Sequence, residues 1–254
     1  MTAKGGKVRL DRLLVARGLA ESRTRAEALI LAGRVRVAGH ESVKPGTSVP
    51  SEAEVSVSEP EHPWVSRGGV KLAAALETFG IDPKGRVCLD LGASTGGFTD
   101  VLLSGGAAKV YAVDVGYGQL HAKLRTDPRV VLLEKVNARF LSRHEIPEPV
   151  ELLVADVSFI SLTLVLPAAV PLLAPGGDAV LLVKPQFEAK RGEVGRGGIV
   201  RDPQVKERAV VRVVAAAERL GLSERGTIPS PIRGADGNEE FLAAFRRASG
   251  PESR

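Results

Sequence analysis

Five short apolar segments restrict the fold of this chain more than any other feature. Candidate helices lie beside them, such as Val70–Thr78 before the first segment and Leu162–Leu173 before the fifth. Continuous apolar runs of this length are typical of strands buried on both faces, and strands that alternate with helices favour a parallel sheet. The segments are Val87–Leu91, Val110–Val113, Val130–Leu133, Leu152–Ala155 and Ala179–Val183. We therefore expect an α/β fold with a mostly parallel sheet and helices on both of its faces.

The first 60 residues have a different pattern. Leucines at positions 10, 13, 14 and 19 and apolar residues at 26, 29 and 30 fall near helical spacing, and residues 34–49 alternate like short strands. Residues 51–63 are polar, acidic and interrupted by proline, which is typical of a domain boundary. The sequence thus predicts a small α+β domain at 1–60, a linker at 61–66 and a large domain at 67–254.

Positive charge is concentrated in the small domain. Residues 1–36 hold nine lysines and arginines against three acidic residues, whereas the whole chain has a net charge of +5. A basic surface of this kind favours an anionic partner such as RNA, although some of these side chains are expected to be plain solvated charges. The candidate RNA contacts are Arg9, Arg12, Arg23, Arg25, Arg34 and Arg36, together with Arg67 just after the linker.

Several classes of protein and of site are not expected. The single cysteine, Cys88, excludes a disulfide within the chain, and the four histidines lie too far apart in the sequence to predict a metal site. No apolar run approaches the roughly 20 residues of a membrane span, and the N-terminal residues lack the apolar core of a signal peptide. We expect a soluble, cytoplasmic protein that holds no metal.

A glycine-rich turn, DLGASTGGFTD, follows the first predicted strand. Glycines between a strand and a helix let a ligand approach the backbone closely, although a tight turn without a ligand would have the same composition. The spacing differs from G-x-G-x-x-G, which makes a dinucleotide less expected than a nucleoside cofactor such as S-adenosylmethionine. The residues of the predicted cofactor turn are Asp90, Gly92, Ser94, Thr95, Gly96, Gly97 and Phe98.

Polar residues after later strands extend the predicted cofactor site, namely Asp114, Asn137 and Asp156. Asp114 ends the second strand, where an acidic side chain can accept hydrogen bonds from a ribose diol. Asn137 follows the third strand and is a candidate partner for adenine, although an asparagine in a loop is more often a turn residue.

Lys184 ends one of the most apolar strands, which is an unusual place for an ammonium group. Asp156 ends the strand before it, and ligands of open α/β sheets bind outside the carboxyl ends of the strands. Lys71 at a helix start, and Glu239 or Glu240 near the C-terminus, add a second pair. A structural cluster of ion pairs is one interpretation. The other is catalysis, because a lysine held beside a second cation and partly removed from water can take the proton of a ribose hydroxyl.

Five motifs together resemble one known family. WVSRGGVKL, DLGASTGGFTD, DVSFISL, LVKPQFE and GNEEF occur here in the order found in the TlyA (haemolysin A) family of rRNA methyltransferases, along residues 62–242. The glycine-rich turn resembles that of FtsJ-like methyltransferases, with Ser94-Thr95 where many members have Ala-Pro. The first 60 residues resemble the small S-four-type RNA-binding domain.

The resemblance implies a Rossmann-like methyltransferase domain that uses S-adenosylmethionine to methylate the ribose 2′-hydroxyl of cytidines, with ribosomal RNA or ribosomal subunits as partners. Its Lys-Asp-Lys-Glu tetrad corresponds to Lys71, Asp156, Lys184 and Glu240, since the family pattern Gly-Asn-x-Glu-aromatic fits Glu240 better than Glu239. Members modify the small subunit, the large subunit or both. The short C-terminus and the N-terminal extension of this chain point in different directions, so the substrate range stays open.

Three other functions are weighed against this one. A pseudouridine synthase often carries the same N-terminal domain, but its chemistry needs no cofactor and would not require the glycine-rich turn. A non-catalytic RNA-binding or ribosome-assembly factor could keep the fold without the activity, but both lysines and both acids are present here. A membrane-lytic protein, which the older family name suggests, would need a membrane span or a strongly amphipathic basic helix outside the RNA-binding domain. The sequence predicts neither.

Overall fold

The computed structural model describes residues 6–20, 22–31, 34–39, 44, 46–57, 62–190, 192–234 and 237–249. The chain divides into two units, Met1–Pro63 and Trp64–Arg254. The predicted linker 61–66 spans this division, and its last three residues belong to the second unit.

Over its described residues, the first unit holds two helices and two pairs of strands. The helices bury a leucine-rich core that includes Leu10, Leu14 and Ile30. Its elements are β1 (Lys7–Arg9), α1 (Leu10–Ala16), α2 (Arg23–Leu31), β2 (Val35–Val37), β3 (Ser48–Pro50) and β4 (Val55–Val57). β1 pairs antiparallel with β3, and β2 pairs antiparallel with β4. The two strands of the predicted segment 34–49 therefore pair with strands outside it.

The second unit is built on a seven-stranded sheet with the order β10-β11-β9-β8-β5-β6-β7. Its elements are α3 (Gly68–Phe79), β5 (Val87–Leu91), α4 (Gly97–Ser104), β6 (Lys109–Asp114), α5 (Ala122–Arg125), β7 (Val130–Glu134), β8 (Val150–Ala155), α6 (Leu162–Ala169), β9 (Leu173–Val183), α7 (Pro185–Glu188), α8 (Pro203–Arg219), β10 (Leu222–Pro229) and β11 (Phe241–Arg247). Strands β5 to β9 are parallel, and β11 runs antiparallel to both of its neighbours. The prediction of a mostly parallel α/β sheet is confirmed.

Successive residues of the central strands point to opposite faces of the sheet. On β9, Leu181 packs in the core that contains residues of α6 and α8, while Leu182 packs in the core that contains residues of α3 and α4. Because both faces are covered by helices, these strands contain uninterrupted apolar segments such as Ala179–Val183, which is why the sequence predicts them well.

The strand order reverses direction at β5, which lies between β6 and β8. The chain therefore leaves β5 and β8 at neighbouring points on the carboxyl edge of the sheet, where open α/β sheets bind their ligands. Gly92 shows how close the two exits are, since a Cβ atom at this position would lie 2.3 Å from the carbonyl oxygen of Asp156. Its φ of +82° is also a conformation that favours glycine.

Candidate active site

Two adjoining cavities open at the carboxyl edge of the sheet. The large cavity has a volume of about 540 Å³ and the small cavity about 130 Å³. Gly92, Ser94 and Asp156 line both. The volume of the large cavity lies within the range that small ligands and cofactors occupy.

The large cavity combines an apolar wall with a few fixed polar groups. Asp114 lies at the end of β6, and its carboxylate accepts hydrogen bonds from the backbone N–H groups of Ser94 (2.7 Å) and Gly116 (2.6 Å). Asn137 also lines the cavity, and its side chain accepts a hydrogen bond from the backbone N–H of Arg139 at 3.1 Å. Asn137 is therefore a turn residue and a cavity residue at once. The apolar lining includes Val113, Val136, Val157 and Val165.

The glycine-rich turn contributes to both cavities, but not with every residue predicted for it. Thr95, Gly97 and Phe98 line the small cavity. Asp90 and Gly96 line neither cavity, and their contact with a cofactor stays a prediction.

Asp90 is fully buried at the end of β5. One of its carboxylate oxygens accepts a 2.6 Å hydrogen bond from the Thr99 hydroxyl, and the other has no hydrogen-bond partner among the residues that the structure describes. Burial raises the pKa of Asp90 to about 7. A Cβ atom at Gly96 would lie 2.2 Å from the side chain of Leu124, so this glycine allows the turn to pack against α5.

The four predicted catalytic side chains form two adjoining ion pairs. The Lys184 ammonium lies 2.6 Å from Asp156 Oδ1 and donates a 2.8 Å hydrogen bond to Ser158 Oγ. The Lys71 ammonium donates to the carboxylate of Glu240, and both of these side chains are buried. Lys71 and Asp156 line the same small cavity, which brings the two pairs together.

The two consecutive glutamates near the C-terminus have different surroundings. Glu240, which precedes β11, is buried against Lys71. Glu239 pairs instead with Lys206 and Arg233, and 47% of its side chain is exposed. Of the two, only Glu240 takes part in the cluster at the small cavity.

Exposed aromatic side chains follow three of the parallel strands, and sequence analysis did not single them out. We call Tyr117, Phe140 and Phe159 the aromatic rim. Phe159 is 92% exposed, has a φ of +61° and lines the large cavity. Lys135 Nζ lies 4.6 Å from the ring of Tyr117, and the Arg139 guanidinium lies 5.6 Å from the ring of Phe140. Aromatics make up only 4% of the chain, so three of them in loops at strand ends were a usable signal.

The predicted RNA contacts of the first unit have mixed roles. The buried carboxylate of Asp11 accepts hydrogen bonds from Arg9 at 2.7 Å and Arg23 at 3.0 Å, and these guanidinium groups hold its pKa well below the usual range. Both arginines thus help to hold the fold, although a large part of each stays exposed.

The remaining predicted RNA contacts differ in exposure. Arg12 and Arg36 are exposed, Arg34 is half-buried, and the side chain of Arg25 lies outside the described residues. Arg67 belongs to the second unit, where its exposed side chain donates a 2.8 Å hydrogen bond to the carbonyl oxygen of Arg233.

The parts of the chain that the structure describes contain no helix long and apolar enough to cross a bilayer. Over the same residues, no group of three or more histidine, cysteine, aspartate or glutamate side chains is arranged to hold a metal ion.

Comparison with known proteins places this architecture in a family. Residues 64–247 match the FtsJ-like methyltransferases, and residues 8–55 match the S4 domain. The 16S/23S rRNA (cytidine-2′-O)-methyltransferase TlyA of Mycobacterium tuberculosis is 52% identical over 241 residues, which cover 94% of this chain and 90% of the relative. Hemolysin A of Brachyspira hyodysenteriae is 43% identical over 242 residues, covering 94% of this chain and 99% of the relative.

A solved structure shows the same relationship. A protein from Streptococcus thermophilus assigned to the hemolysins is 42% identical, with a TM-score of 0.75 over 98% of this chain and 91% of that chain. The family matches, the sequence identities and this TM-score all support the same family assignment. The chain therefore belongs to the TlyA family, in which an S4 domain precedes an FtsJ-like methyltransferase domain.

Proposed function

We propose that this protein transfers a methyl group from S-adenosylmethionine to the ribose 2′-hydroxyl of cytidine in ribosomal RNA. The observation that carries the proposal is the pairing of Lys184 with Asp156, a residue that lines both cavities, beside the Lys71–Glu240 pair. A ribose hydroxyl is a very weak acid, and its attack requires a base that is held in place at the reacting atoms.

The large cavity suits the nucleoside part of the cofactor. The carboxylate of Asp114 can accept hydrogen bonds from the ribose diol, and Asn137 can bond the adenine edge. The glycine at position 92 keeps the shared wall open where a side chain would collide with Asp156. When bound, the cofactor supplies a methyl group attached to a positively charged sulfur.

In this mechanism Nζ of Lys184 takes the proton of the 2′-hydroxyl while the ribose oxygen gains the methyl group and the bond between that group and the sulfur breaks. Asp156 and Ser158 orient the amine through the two contacts it already makes. Lys71, held by Glu240, places a second cation at the small cavity. A base of this kind contributes about 10²- to 10⁴-fold, and the alignment of the reacting atoms can contribute about 7–11 kcal/mol.

The aromatic rim and the S4 domain are the surfaces proposed for RNA. Single-stranded bases stack on exposed aromatic side chains, and lysine or arginine beside them attracts phosphate. Tyr117 with Lys135 and Phe140 with Arg139 combine both features near the large cavity. The exposed arginines of the first unit would add phosphate contacts.

We propose the substrate range from the names of the relatives. The Mycobacterium tuberculosis relative is named for both 16S and 23S rRNA. We propose ribosomal RNA of the small subunit, the large subunit or both as the substrate, either as RNA or within a subunit. The protein would then act in the cytoplasm, where these substrates are assembled.

The test is to map ribose methylation on both rRNAs in a strain that lacks the gene and in the complemented strain. The purified protein should also transfer labelled methyl groups from S-adenosylmethionine to rRNA or subunits from the deletion strain. A 2′-O-methyl group blocks alkaline cleavage at its own linkage, which identifies the modified ribose.

A transcript with a 2′-deoxycytidine at the mapped site is the control, and it should accept no label. Methylation on a base, or an absence of label in every rRNA and subunit preparation, would contradict the proposal. Failure to bind S-adenosylmethionine in calorimetry, even with rRNA present, would favour the non-catalytic alternative.

A further inference from the structure

Glu188 is a buried acidic residue that the proposed mechanism does not use. It is the last residue of the LVKPQFE motif and of α7, the single helical turn that begins directly after Lys184. Only 3% of Glu188 is exposed. A carboxylate in such a position needs hydrogen bonds, because leaving it without partners would be costly.

The partners of Glu188 lie at the start of α6. One carboxylate oxygen accepts a 2.5 Å hydrogen bond from the Ser161 hydroxyl, and the other accepts a 2.7 Å hydrogen bond from the backbone N–H of Leu162. The first N–H groups of a helix have no partner within the helix, so Glu188 satisfies one of them. Arg212 of α8 donates to the carbonyl oxygen of Glu188 at 2.9 Å and holds its backbone from the other side.

These contacts join the two chain segments that carry the proposed base and its orienting groups. Residues 156–162 run from Asp156 through Ser158 to the start of α6, while residues 184–188 run from Lys184 to Glu188. Lys184 joins the two segments at one end, through its contacts with Asp156 and Ser158. Glu188 joins them at the other end, through Ser161 and Leu162.

The four residues Pro185–Glu188 form a single helical turn, so a movement of Glu188 also moves Lys184. The backbone N–H of Phe187 donates to the carbonyl oxygen of Lys184 at 2.9 Å, and the ring of Phe187 contacts that of Phe159 at a centroid distance of 5.3 Å. A displacement of Glu188 is therefore transmitted to the backbone of Lys184 and to the loop that carries Phe159.

We propose that Glu188 is a positioning residue of the methyl-transfer site. By fixing α7 against the start of α6, it sets the position of the Lys184 amine relative to Asp156 and Ser158. This inference rests on the proposed function, because it assigns a task within that reaction. Glu188 touches neither cavity and acts through Lys184.

The experiment compares three variants of the full chain with the wild-type protein, each assayed below its unfolding temperature. Glu188→Ala removes both hydrogen bonds. Glu188→Gln keeps the shape, since its amide oxygen can accept from Leu162 and its amide NH₂ can donate to Ser161. Asp178→Asn is the matched control: Asp178 is an equally buried acidic residue in the middle of β9, bonded to Arg86, Arg225 and Arg246, and it lines neither cavity.

We expect Glu188→Ala to lower kcat by about 10- to 100-fold, since a displacement of about 1 Å at a reacting group can cost that much. Its Kd for S-adenosylmethionine should stay within about 3-fold of wild type, because the Asp114 side of the large cavity is untouched. Glu188→Gln should recover most of kcat. Asp178→Asn should lower the unfolding temperature and leave kcat near the wild-type value.

A cap that served the stability of α6 alone would give a different result. Glu188→Ala would then unfold at a lower temperature yet keep the wild-type kcat, which would overturn the proposal. A Glu188→Gln variant as inactive as Glu188→Ala would also overturn it, because charge and not position would be the cause. If Glu188→Ala fails to fold, Ser161→Ala takes its place, because it removes one of the two hydrogen bonds to Glu188 and leaves the bond from Leu162. A wild-type kcat for Ser161→Ala would then overturn the proposal. A wild-type protein without activity would overturn the proposed function and this inference with it.

Discussion

Lys184 Nζ and Asp156 Oδ1 lie 2.6 Å apart at the carboxyl ends of two neighbouring parallel strands. The pairing of Ala155 with Leu181 in the register of β8 and β9 brings these two strand ends side by side. The sheet itself therefore delivers an amine and a carboxylate to one point, beside the wall that the two cavities share.

The first prediction concerns the base. Lys184→Ala should lower kcat for methyl transfer by about 10²- to 10⁴-fold, the usual contribution of a positioned base. The Kd for S-adenosylmethionine should change little, because Lys184 lines neither cavity. Single-turnover methyl transfer and calorimetry measure the two quantities separately.

Lys206→Ala is the matched control for this substitution. Lys206 pairs with Glu239 and its side chain is 14% exposed, against 11% for Lys184 in its pair with Asp156. The control removes a similar ion pair outside both cavities and should keep its turnover. A Lys184→Ala enzyme that retained a tenth of wild-type activity would rule out the role of base.

The buried pair of Lys71 and Glu240 leads to a second prediction. Glu240→Ala should lower the free energy of unfolding by about 3–5 kcal/mol, because it leaves the Lys71 ammonium buried without its partner. The double variant Lys71→Met/Glu240→Leu should recover much of that stability and remain inactive. Chemical denaturation and methyl-transfer assays distinguish the two effects.

Glu239→Ala provides the comparison within the same motif. Its side chain is half exposed, so we expect little change in stability or turnover. If Glu239→Ala and Glu240→Ala lost stability and turnover equally, the burial of Glu240 against Lys71 would not explain the effect of Glu240→Ala.

The sequence predicted the parallel strands well because buried strands are apolar without interruption, as in Ala179–Val183. It did not predict β10, an edge strand whose run of Ser223, Glu224 and Arg225 hides the pattern of a strand. Helix α8 was also missed, although buried residues such as Val205, Ala209 and Val213 recur at helical spacing. The predicted strand ends were therefore enough to place Asp156 and Lys184. The strand at the sheet edge and helix α8 could be identified only from the tertiary structure.

The residues of the candidate site also divide into those that the sequence could place and those that it could not. Asp114, Asp156 and Lys184 could be placed from strand ends alone, since parallel strands share one carboxyl edge. The contact between Lys71 and Glu240 depends on the packing of α3 and β11, which no local pattern specifies. Phe159 is exposed and has a positive φ, and a phenylalanine in the sequence predicts neither property.

A third prediction tests the cofactor cavity. Asp114→Ala should raise the Kd for S-adenosylmethionine by about 10- to 100-fold, because hydrogen bonds to a charged group contribute about 1.5–3 kcal/mol. Glu134→Gln is the control, since Glu134 also accepts a backbone hydrogen bond from this loop, from Gly118 at 2.7 Å, but lines neither cavity. If both variants bound equally weakly in calorimetry, loosening of the loop and not a lost ribose contact would explain the effect.

The fourth prediction concerns the wall between the cavities. Gly92→Ala should destabilise the protein by about 2–4 kcal/mol and abolish cofactor binding, because the added Cβ would lie 2.3 Å from Asp156 O and the φ of +82° is strained for alanine. Gly80→Ala is the control: its φ is +61°, with no atom within 4 Å of the added Cβ. It should cost about 1 kcal/mol and leave binding unchanged. Equal unfolding temperatures for the two variants would contradict the proposed crowding.

The fifth prediction concerns the pH dependence of stability. Burial raises the pKa of Asp90 to about 7 in the folded protein, whereas an aspartate in an unfolded chain has a pKa of about 4. Between these values the folded state binds more protons than the unfolded state, so the unfolding free energy falls as the pH rises. Asp90→Asn carries no charge at any pH and lacks this dependence.

The difference between the two proteins isolates Asp90, because all other titrating groups are shared. The unfolding free energy of Asp90→Asn minus that of the wild type should be constant below about pH 4, rise by up to about 4 kcal/mol towards pH 7 and level off above it. Urea denaturation at intervals of one pH unit measures this difference. Parallel pH profiles would mean that Asp90 is charged in the folded protein, and that the Thr99 hydroxyl with the surrounding backbone offsets its burial. If this free-energy difference rises only between pH 4 and 7, the carboxyl group of Asp90, at the start of the glycine-rich turn, keeps its proton near neutral pH.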